Sequence, residues 1–405
     1  MQRIDADRLI PGRGQPIDNA TVIMDRGVIT YAGPTNAAPD TPDLAAIQVP
    51  VVMPGMWDCH GHFFGTRTAL VFEEAIATHP SVGVLRGLRD ATAALNAGFV
   101  NIREPGGLGV HLAAAINEGT VEGPNIYSAH AVIGMTGGHS DAHSMPLDWA
   151  PHHESMVLAD GVPEVLKAVR RQLRVNAQFI KICASGGVMS EVDHPIHQQF
   201  SDEELSAIVE EAARADRSVA AHCHGKPGIM AAVRAGVRTI EHGTYLDEEA
   251  ATAMAETGTI LVPTRFILEK LLTMKDEMHP YAFNKAVMVN EFHTAAVSAA
   301  IEAGVKIAVG TDIFMSGSMW GTNGLELKLL ADMGLTPLAA IEAATANGPE
   351  TLGAMAPNTG ILEEGRDADV ITVNADPLDN ILVLANADNV TGVWKRGVQM
   401  KGGAA

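Results

Sequence analysis

A chain of 405 residues, 47% of them hydrophobic, is long enough to bury one large core with a smaller one beside it. With 28 Lys and Arg against 48 Asp and Glu, its net charge of −20 repels phosphate backbones and excludes nucleic acid as a partner. No run approaches the roughly 18–20 uninterrupted apolar residues of a membrane span, and the opening MQRIDADRLIPGRGQPIDNA has no apolar leader stretch. No membrane partner is therefore expected, and the cytoplasm is the default compartment unless a leader has been removed.

In chain order, residues 19–33 (NATVIMDRGVITYAG) predict a hairpin turning at Asp25-Arg26-Gly27. From about residue 55 the pattern changes to short apolar runs, each followed by a glycine-rich or polar turn and then a helical pattern. The runs are VVMPGMWDCH, AGFVNIREPGG, GPNIYSAHAV, AQFIKICASGG, RSVAAHCHG, GVRTIEHG, GTILVPTR and GVKIAVGTD. Between the fourth and fifth, SDEELSAIVEEAARA opens on Ser201 with Glu204 three residues on, the capping-box start of a helix. Eight such alternations predict an α/β fold, a (β/α)8 TIM barrel over residues 55–355. The carboxy-terminal TGILEEGRDADVITVNADP and VTGVWKRGVQM return to the hairpin style, so residues 1–54 and 356–405 are expected to form a small composite β-sandwich. Segment 133–160 is long for a barrel loop and carries His139, His143, His152 and His153, which fits a lid or a substrate-binding element. Its last three histidines read as spaced lid residues rather than a metal tract.

Chemistry is concentrated where the runs end. PGMWDCHGHFFG places His60 and His62 two apart, the spacing that puts two side chains on one strand face, with Gly61 between them allowing close backbone approach. Lys181 ends the fourth run, His222 the fifth, His242 the sixth and Asp312 the eighth. Barrel enzymes carry their chemistry at the carboxyl ends of the strands. Burying these groups unpaired would cost several kcal/mol, whereas a divalent ion satisfies carboxylate and neutral imidazole together. Cys59, Cys183 and Cys223 are too few for a disulfide framework and read as small buried apolar groups. Cys59 and Cys223 sit at odd offsets from the neighbouring histidines and should point away from them.

The order HxH…K…H…H…D, with KICASGG, IEHG and VGTD around it, resembles the metal-dependent amidohydrolase superfamily in its binuclear branch. The resemblance covers almost the whole chain. It is strongest to the branch holding imidazolonepropionase-like proteins, Xaa-Pro dipeptidases and carboxypeptidases, and ochratoxin-hydrolysing amidases. Imidazolonepropionase itself lacks a bridging lysine, so Lys181 aligns the chain with the peptidase-like members.

The resemblance implies two divalent ions. His60 and His62 with Asp312 would hold the more buried one, His222 and His242 the other, and Lys181, N6-carboxylated by carbon dioxide, would bridge them. The nitrogen and oxygen ligand mix favours zinc, with manganese, cobalt and iron as alternatives. A metal-bridging hydroxide would attack an amide carbonyl, with Asp312 moving the proton to the leaving amine. The implied substrate is an amide whose leaving amine carries a free carboxylate: a dipeptide, an N-acyl amino acid, or an ochratoxin A-type aryl amide of phenylalanine. A cyclic-amide hydrolase, a lactonase or a phosphotriesterase would use the same site, and a non-catalytic assembly protein on this fold is the remaining alternative. Relatives imply a symmetric homo-oligomer. His139, in MTGGHSD, matches a loop expected to approach substrate. His224, which points the same way as His222, stands where many Xaa-Pro peptidases have tyrosine and is expected with His139 to contact substrate; Glu104 stands where many relatives have aspartate. Phe63, Phe64, Met135, Phe200, Phe266, Phe314, Met315 and Trp320 fall near strand ends and are expected to line an apolar pocket suited to a bulky apolar group.

Overall fold

The computed structural model describes residues 1–148 and 155–402. Four amino-terminal strands, β1 (Gln2–Leu9), β2 (Ile17–Asp25), β3 (Val28–Pro34) and β4 (Ala46–Pro54), lie in the same sheet as three carboxy-terminal strands. In full chain order these three are β16 (Val370–Val373), β17 (Val390–Lys395) and β18 (Val398–Lys401), and the sheet order is β18-β17-β16-β4-β1-β2-β3. The β2–β3 turn is the expected hairpin: Arg26 and Gly27 both have positive φ, 46° and 86°, as a two-residue turn between right-twisted strands requires. Alternation splits the sheet between two cores. Ile4, Val22, Val52, Val370 and Trp394 pack together on one face, while Val51, Met53, Ile371 and Val393 join the main core of the barrel.

The barrel follows. Its strands are β5 (Met56–Asp58), β7 (Phe99–Glu104), β8 (Asn125–Ser128), β9 (Val132–Gly134), β10 (Met156–Leu158), β11 (Ile180–Cys183), β12 (Val219–Cys223), β13 (Thr239–His242) and β14 (Ile260–Val262). Parallel ladders run β5-β7-β8 and β10-β9-β11-β12-β13-β14. Isolated backbone bonds close the seams: Gln178 N donates to Ser128 O at 2.8 Å, Leu261 N to Lys306 O and Ala308 N to Leu261 O, each at 2.9 Å, and Cys59 N to Val309 O at 2.7 Å. Above them β6 (Gly61–Thr66) pairs with β15 (Ile313–Met315).

The predicted runs are thus strands, with two adjustments. Val51-Val52-Met53 belongs to β4 of the terminal sheet, and the barrel strand begins only after Pro54-Gly55. The eighth run makes one isolated bridge, Ile307 to Leu261, before turning into the site. The long segment after the third run is bounded by β9 and β10, which pair in register, so it is a loop only between them. The capping box also forms: Ser201 Oγ accepts from Glu204 N at 3.2 Å and Glu204 Oε2 from Ser201 N at 2.8 Å. No described helix is long and apolar enough to cross a membrane.

Candidate metal centre

His60, His62, His139, Lys181, His222, His224, His242 and Asp312 all line one cavity at the carboxyl ends of the barrel strands. His60 sits in the gap between β5 and β6, Lys181 lies in β11, His222 in β12, and His242 ends β13. Strand alternation alone would not bring them all inward. In β13, Thr239 and Glu241 face the barrel interior, so a regular His242 would face out. His242 instead has φ 72°, and Thr264 and Asp312 share the left-handed region at 55° and 57°. Each such residue costs about 1–3 kcal/mol and persists where surrounding contacts hold it. Here the cost turns a side chain into the site.

Distances bring the groups together. Asp312 Oδ1 lies 3.5 Å from His60 Nε2 and 3.3 Å from His62 Nε2. The rings of His222 and His242 are 4.6 Å apart, and His242 is 5.2 Å from His60. Two sets of ligating atoms fall within 4.8 Å of one another, His60 with His242 and Asp312, and His222 with His224 and His242. His224 is therefore close enough to share the second cluster, which its assignment as a substrate residue alone did not anticipate. His139 stacks on His222 at 4.2 Å.

Whether these residues suit metal ions is decided by which ring nitrogen each one leaves over. His60 Nδ1 is 2.6 Å from the Glu241 carboxylate, His62 Nδ1 is 2.7 Å from Gly106 O, and His222 Nε2 is 3.1 Å from Gly186 O. Each of those partners can only accept, so each nitrogen carries hydrogen and the opposite one carries a lone pair. His242 Nδ1 donates to Thr264 Oγ1 at 2.7 Å, because that hydroxyl spends its own hydrogen on Pro263 O. Burial holds His60 down to about 4 and His222 and His242 well below their ordinary value, so the rings are neutral. Lone pairs on His60 Nε2, His62 Nε2, His222 Nδ1 and His242 Nε2, beside one carboxylate, are the donor set a divalent pair requires. Lys181 is buried among them, and burial pulls its amine below the ordinary lysine value against the opposing pull of the Glu241 and Asp312 carboxylates.

Beneath the ligands lies a polar floor that the sequence reading missed. Glu241 is fully buried and meets the equally buried Arg103, whose Nη2 lies 2.6 and 2.8 Å from its two oxygens. Burial would raise the Glu241 carboxyl, but Arg103 and His60 outweigh it and hold the group ionised. Asp58 ties the first run to the eighth: Oδ1 accepts from His60 N and Thr311 N, each at 3.0 Å, and Oδ2 from Thr311 Oγ1 at 2.6 Å and Asn323 Nδ2 at 2.7 Å. Glu104 does not reach the cavity. It is wholly buried and accepts from Gly109 N at 3.1 Å and from Ser128 Oγ.

The apolar wall differs from expectation. Only Phe64 and Phe314 of the eight anticipated residues line the cavity. Phe63 alternates with His62 and stacks on Trp320 at 4.8 Å within the core, and Phe200, Phe266 and Met315 are also buried in core clusters. The wall comes instead from helices that follow the strands, through Val71 and Phe72, Ile267, Leu268 and Leu271, and Val289. Cys59 and Cys223 point away from the site as expected, and Cys183 alone of the three lines it. Burial holds the Cys183 thiol up at about 12, so it stays protonated. His143 is half-buried, with Nδ1 accepting from Val192 N at 3.2 Å; His152 and His153 lie outside the described residues.

A barrel with imidazoles, a lysine and an aspartate gathered at its strand ends defines a metal-dependent hydrolase, and the amidohydrolase family model matches residues 51–400. The chain belongs to the amidohydrolase family and is a hydrolase of amide bonds. It is 42% identical to the ochratoxinase of Aspergillus niger over 98% of this chain and 86% of that protein. The crystal structure of A. niger ochratoxinase superposes with a TM-score of 0.93 at 41% identity, covering 99% of this chain and 96% of that one. A Xaa-Pro dipeptidase with methionine bound in its active site is 31% identical, with a TM-score of 0.89 over 99% of this chain and all of that one (100%).

Proposed function

We propose that this protein hydrolyses small amides whose leaving amine carries a free carboxylate, with a bulky apolar group seated on the helical wall. N-acyl amino acids and aryl amides of phenylalanine of the ochratoxin type fit best, and dipeptides come next. The observation that carries the reading is the set of imidazole lone pairs turned on one centre beside Lys181 and Asp312, under a wall of Phe72, Leu268 and Leu271. The likeness to ochratoxinase and to a Xaa-Pro dipeptidase supports the substrate class.

In this reading His60, His62 and Asp312 would hold one divalent ion and His222 and His242 the other, with zinc suited to the donors. Bound there, the ions would supply a water of lowered pKa and polarise the substrate carbonyl. Lys181, its basicity reduced by burial, would add its amine nitrogen to the carbon of carbon dioxide with release of a proton, and the resulting carbamate would supply anionic oxygen donors to the ions. Asp312 Oδ1 stands 3.5 Å from His60 Nε2 and 3.3 Å from His62 Nε2, where the ion that those lone pairs would share with it would keep its carboxyl ionised. It takes the proton of the attacking water and delivers it to the leaving nitrogen. His139 gives Nδ1–H to Ser190 Oγ at 2.9 Å, which turns its Nε2 lone pair towards the bound amide.

The test is a substrate panel on zinc-reconstituted and chelator-treated protein: Xaa-Phe and Xaa-Pro dipeptides, N-acyl amino acids, ochratoxin A, a lactone and a phosphotriester. Metal-dependent release of a carboxylate-bearing amine is expected, fastest with bulky apolar acyl groups. Turnover confined to the lactone or the phosphotriester would overturn the amidase assignment.

A further inference from the structure

His293 is a buried imidazole in the cavity that the proposed reaction leaves unused. It lies on the helix Pro280–Glu302 one turn beyond Val289, and both side chains line the cavity. The ring is 2% exposed. Its Nε2 lies 2.9 Å from the Pro263 carbonyl, which can only accept, so Nε2 carries hydrogen. The same carbonyl takes the Thr264 hydroxyl at 2.7 Å, and that hydroxyl takes His242 Nδ1–H. With the Nε2–H given to Pro263 O, the neutral ring leaves its lone pair on Nδ1. That lone pair has no partner among the described residues. The His242 carbonyl faces the ring, but an acceptor cannot satisfy an acceptor. A buried acceptor without a donor is destabilising, and an adjoining cavity is where a donor can enter.

We infer that His293 Nδ1 accepts a hydrogen bond from an N–H or O–H of the bound amide, which makes it a specificity-determining residue beside the apolar wall of Ile267, Leu268 and Leu271. The inference rests on the amidase reading and names what that site selects. Two groups of such a substrate can supply the hydrogen: the scissile amide N–H, which a secondary amide has and a Xaa-Pro bond lacks, or a donor on the acyl α-carbon, such as the ammonium of a dipeptide.

Four compounds that share one acyl carbon skeleton separate these sources. Leu-Phe carries both donors, 4-methylpentanoyl-Phe only the amide N–H, Leu-Pro only the ammonium, and 4-methylpentanoyl-Pro neither. On the zinc-loaded enzyme, His293→Phe should lower kcat/KM roughly 10–100-fold for compounds bearing the donor that is read, the effect of unpairing one buried hydrogen bond. The compound with neither donor should be turned over as by wild type. His293→Asn, whose side-chain oxygen can stand near the Nδ1 position, should recover part of the loss. The single-donor compound that loses activity identifies the source. Equal losses on all four compounds, or none on any, in a His293→Phe protein of unchanged melting temperature and zinc content would overturn the inference. Should wild type cleave none of the four, dipeptides and N-acyl amino acids drop out of the proposed substrate class, and calorimetric binding of the same compounds decides His293 alone. Donor-selective binding abolished by His293→Phe would uphold it; binding indifferent to the donor would sink it.

Discussion

Replacing Glu241 by glutamine should loosen the metal centre from below without touching a ligand. The carboxylate is fully buried and holds three groups at once, Arg103 Nη2 at 2.6 and 2.8 Å, His60 Nδ1 at 2.6 Å and Thr239 Oγ1 at 2.5 Å. Glutamine keeps the volume but loses the charge and one acceptor. Arg103 would then retain only neutral partners, Cys59 O at 2.6 Å and Thr239 Oγ1 at 3.0 Å, around a guanidinium with no exposed surface. Stranding one member of a buried pair costs about 3–5 kcal/mol. Separately, His60 loses the anion that fixes its Nδ1–H and orients Nε2, a change that typically costs about 10–100-fold in metal affinity. Denaturant unfolding of the metal-free protein reads the first loss, and competition against a chromogenic chelator reads the second. Adding Arg103→Met separates them: with both charges gone, stability should return towards wild type while zinc affinity stays weak. Wild-type zinc affinity in Glu241→Gln, or a double variant no more stable than the single one, would refute the reasoning.

Lys181→Ala should remove most of the activity, and added formate or acetate should restore part of it by standing in for the carbamate; full activity without rescue would exclude a bridging role. Gly187→Ala should raise KM, because a Cβ there would meet the His139 ring at 2.2 Å and drive it off His222; unchanged kinetics would remove His139 from the substrate's path. Glu326 gives a pH signature from a group outside the ligand set. Burial raises its carboxyl from 4.5 to about 8, although the backbone N–H groups of Arg265 and Phe266 lie 3.0 and 2.6 Å from it. The native state therefore holds that proton more tightly than the unfolded chain. Its contribution is complete below pH 4.5 and fades as pH rises through about 8. Melting temperatures between pH 5 and 8 should fall less steeply in Glu326→Gln than in wild type, and parallel curves would contradict the shift.

The barrel was legible because each strand is a short apolar run closed by a turn. The ligands were legible because a charged or imidazole residue buried at the end of such a run is costly unless something binds it. Legibility ended where one residue's backbone, rather than a pattern, decides the outcome. Val51–Met53 and Met56–Asp58 form one apolar run to the eye, yet they serve different sheets on either side of Pro54-Gly55. In TIEHG, Glu241 looks like the solvent-facing neighbour of a ligand. Only the left-handed φ of 72° at His242 lets both residues serve the site, one as the floor and one in the cavity. Arg103, in NIREPGG, resembles an ordinary polar strand end, and nothing in its neighbours announces a guanidinium at the barrel centre. The apolar wall was sought at strand ends, where alternation sends Phe63 into the core, whereas the helices after the strands supply it.

Most of these misses concern the hydrogen-bond partner of a group rather than its identity, and the chemistry turns on that distinction. A sequence can show that a histidine stands at a strand end, but not which nitrogen it presents. Here Gly106 O, Gly186 O, Glu241 and Thr264 take one nitrogen of His62, His222, His60 and His242 in turn. None of the four would be chosen as functional from its residue type, yet together they aim four lone pairs at one centre. The Glu241→Gln experiment is the sharpest of those proposed for this reason: it changes an aim while leaving every ligand in place.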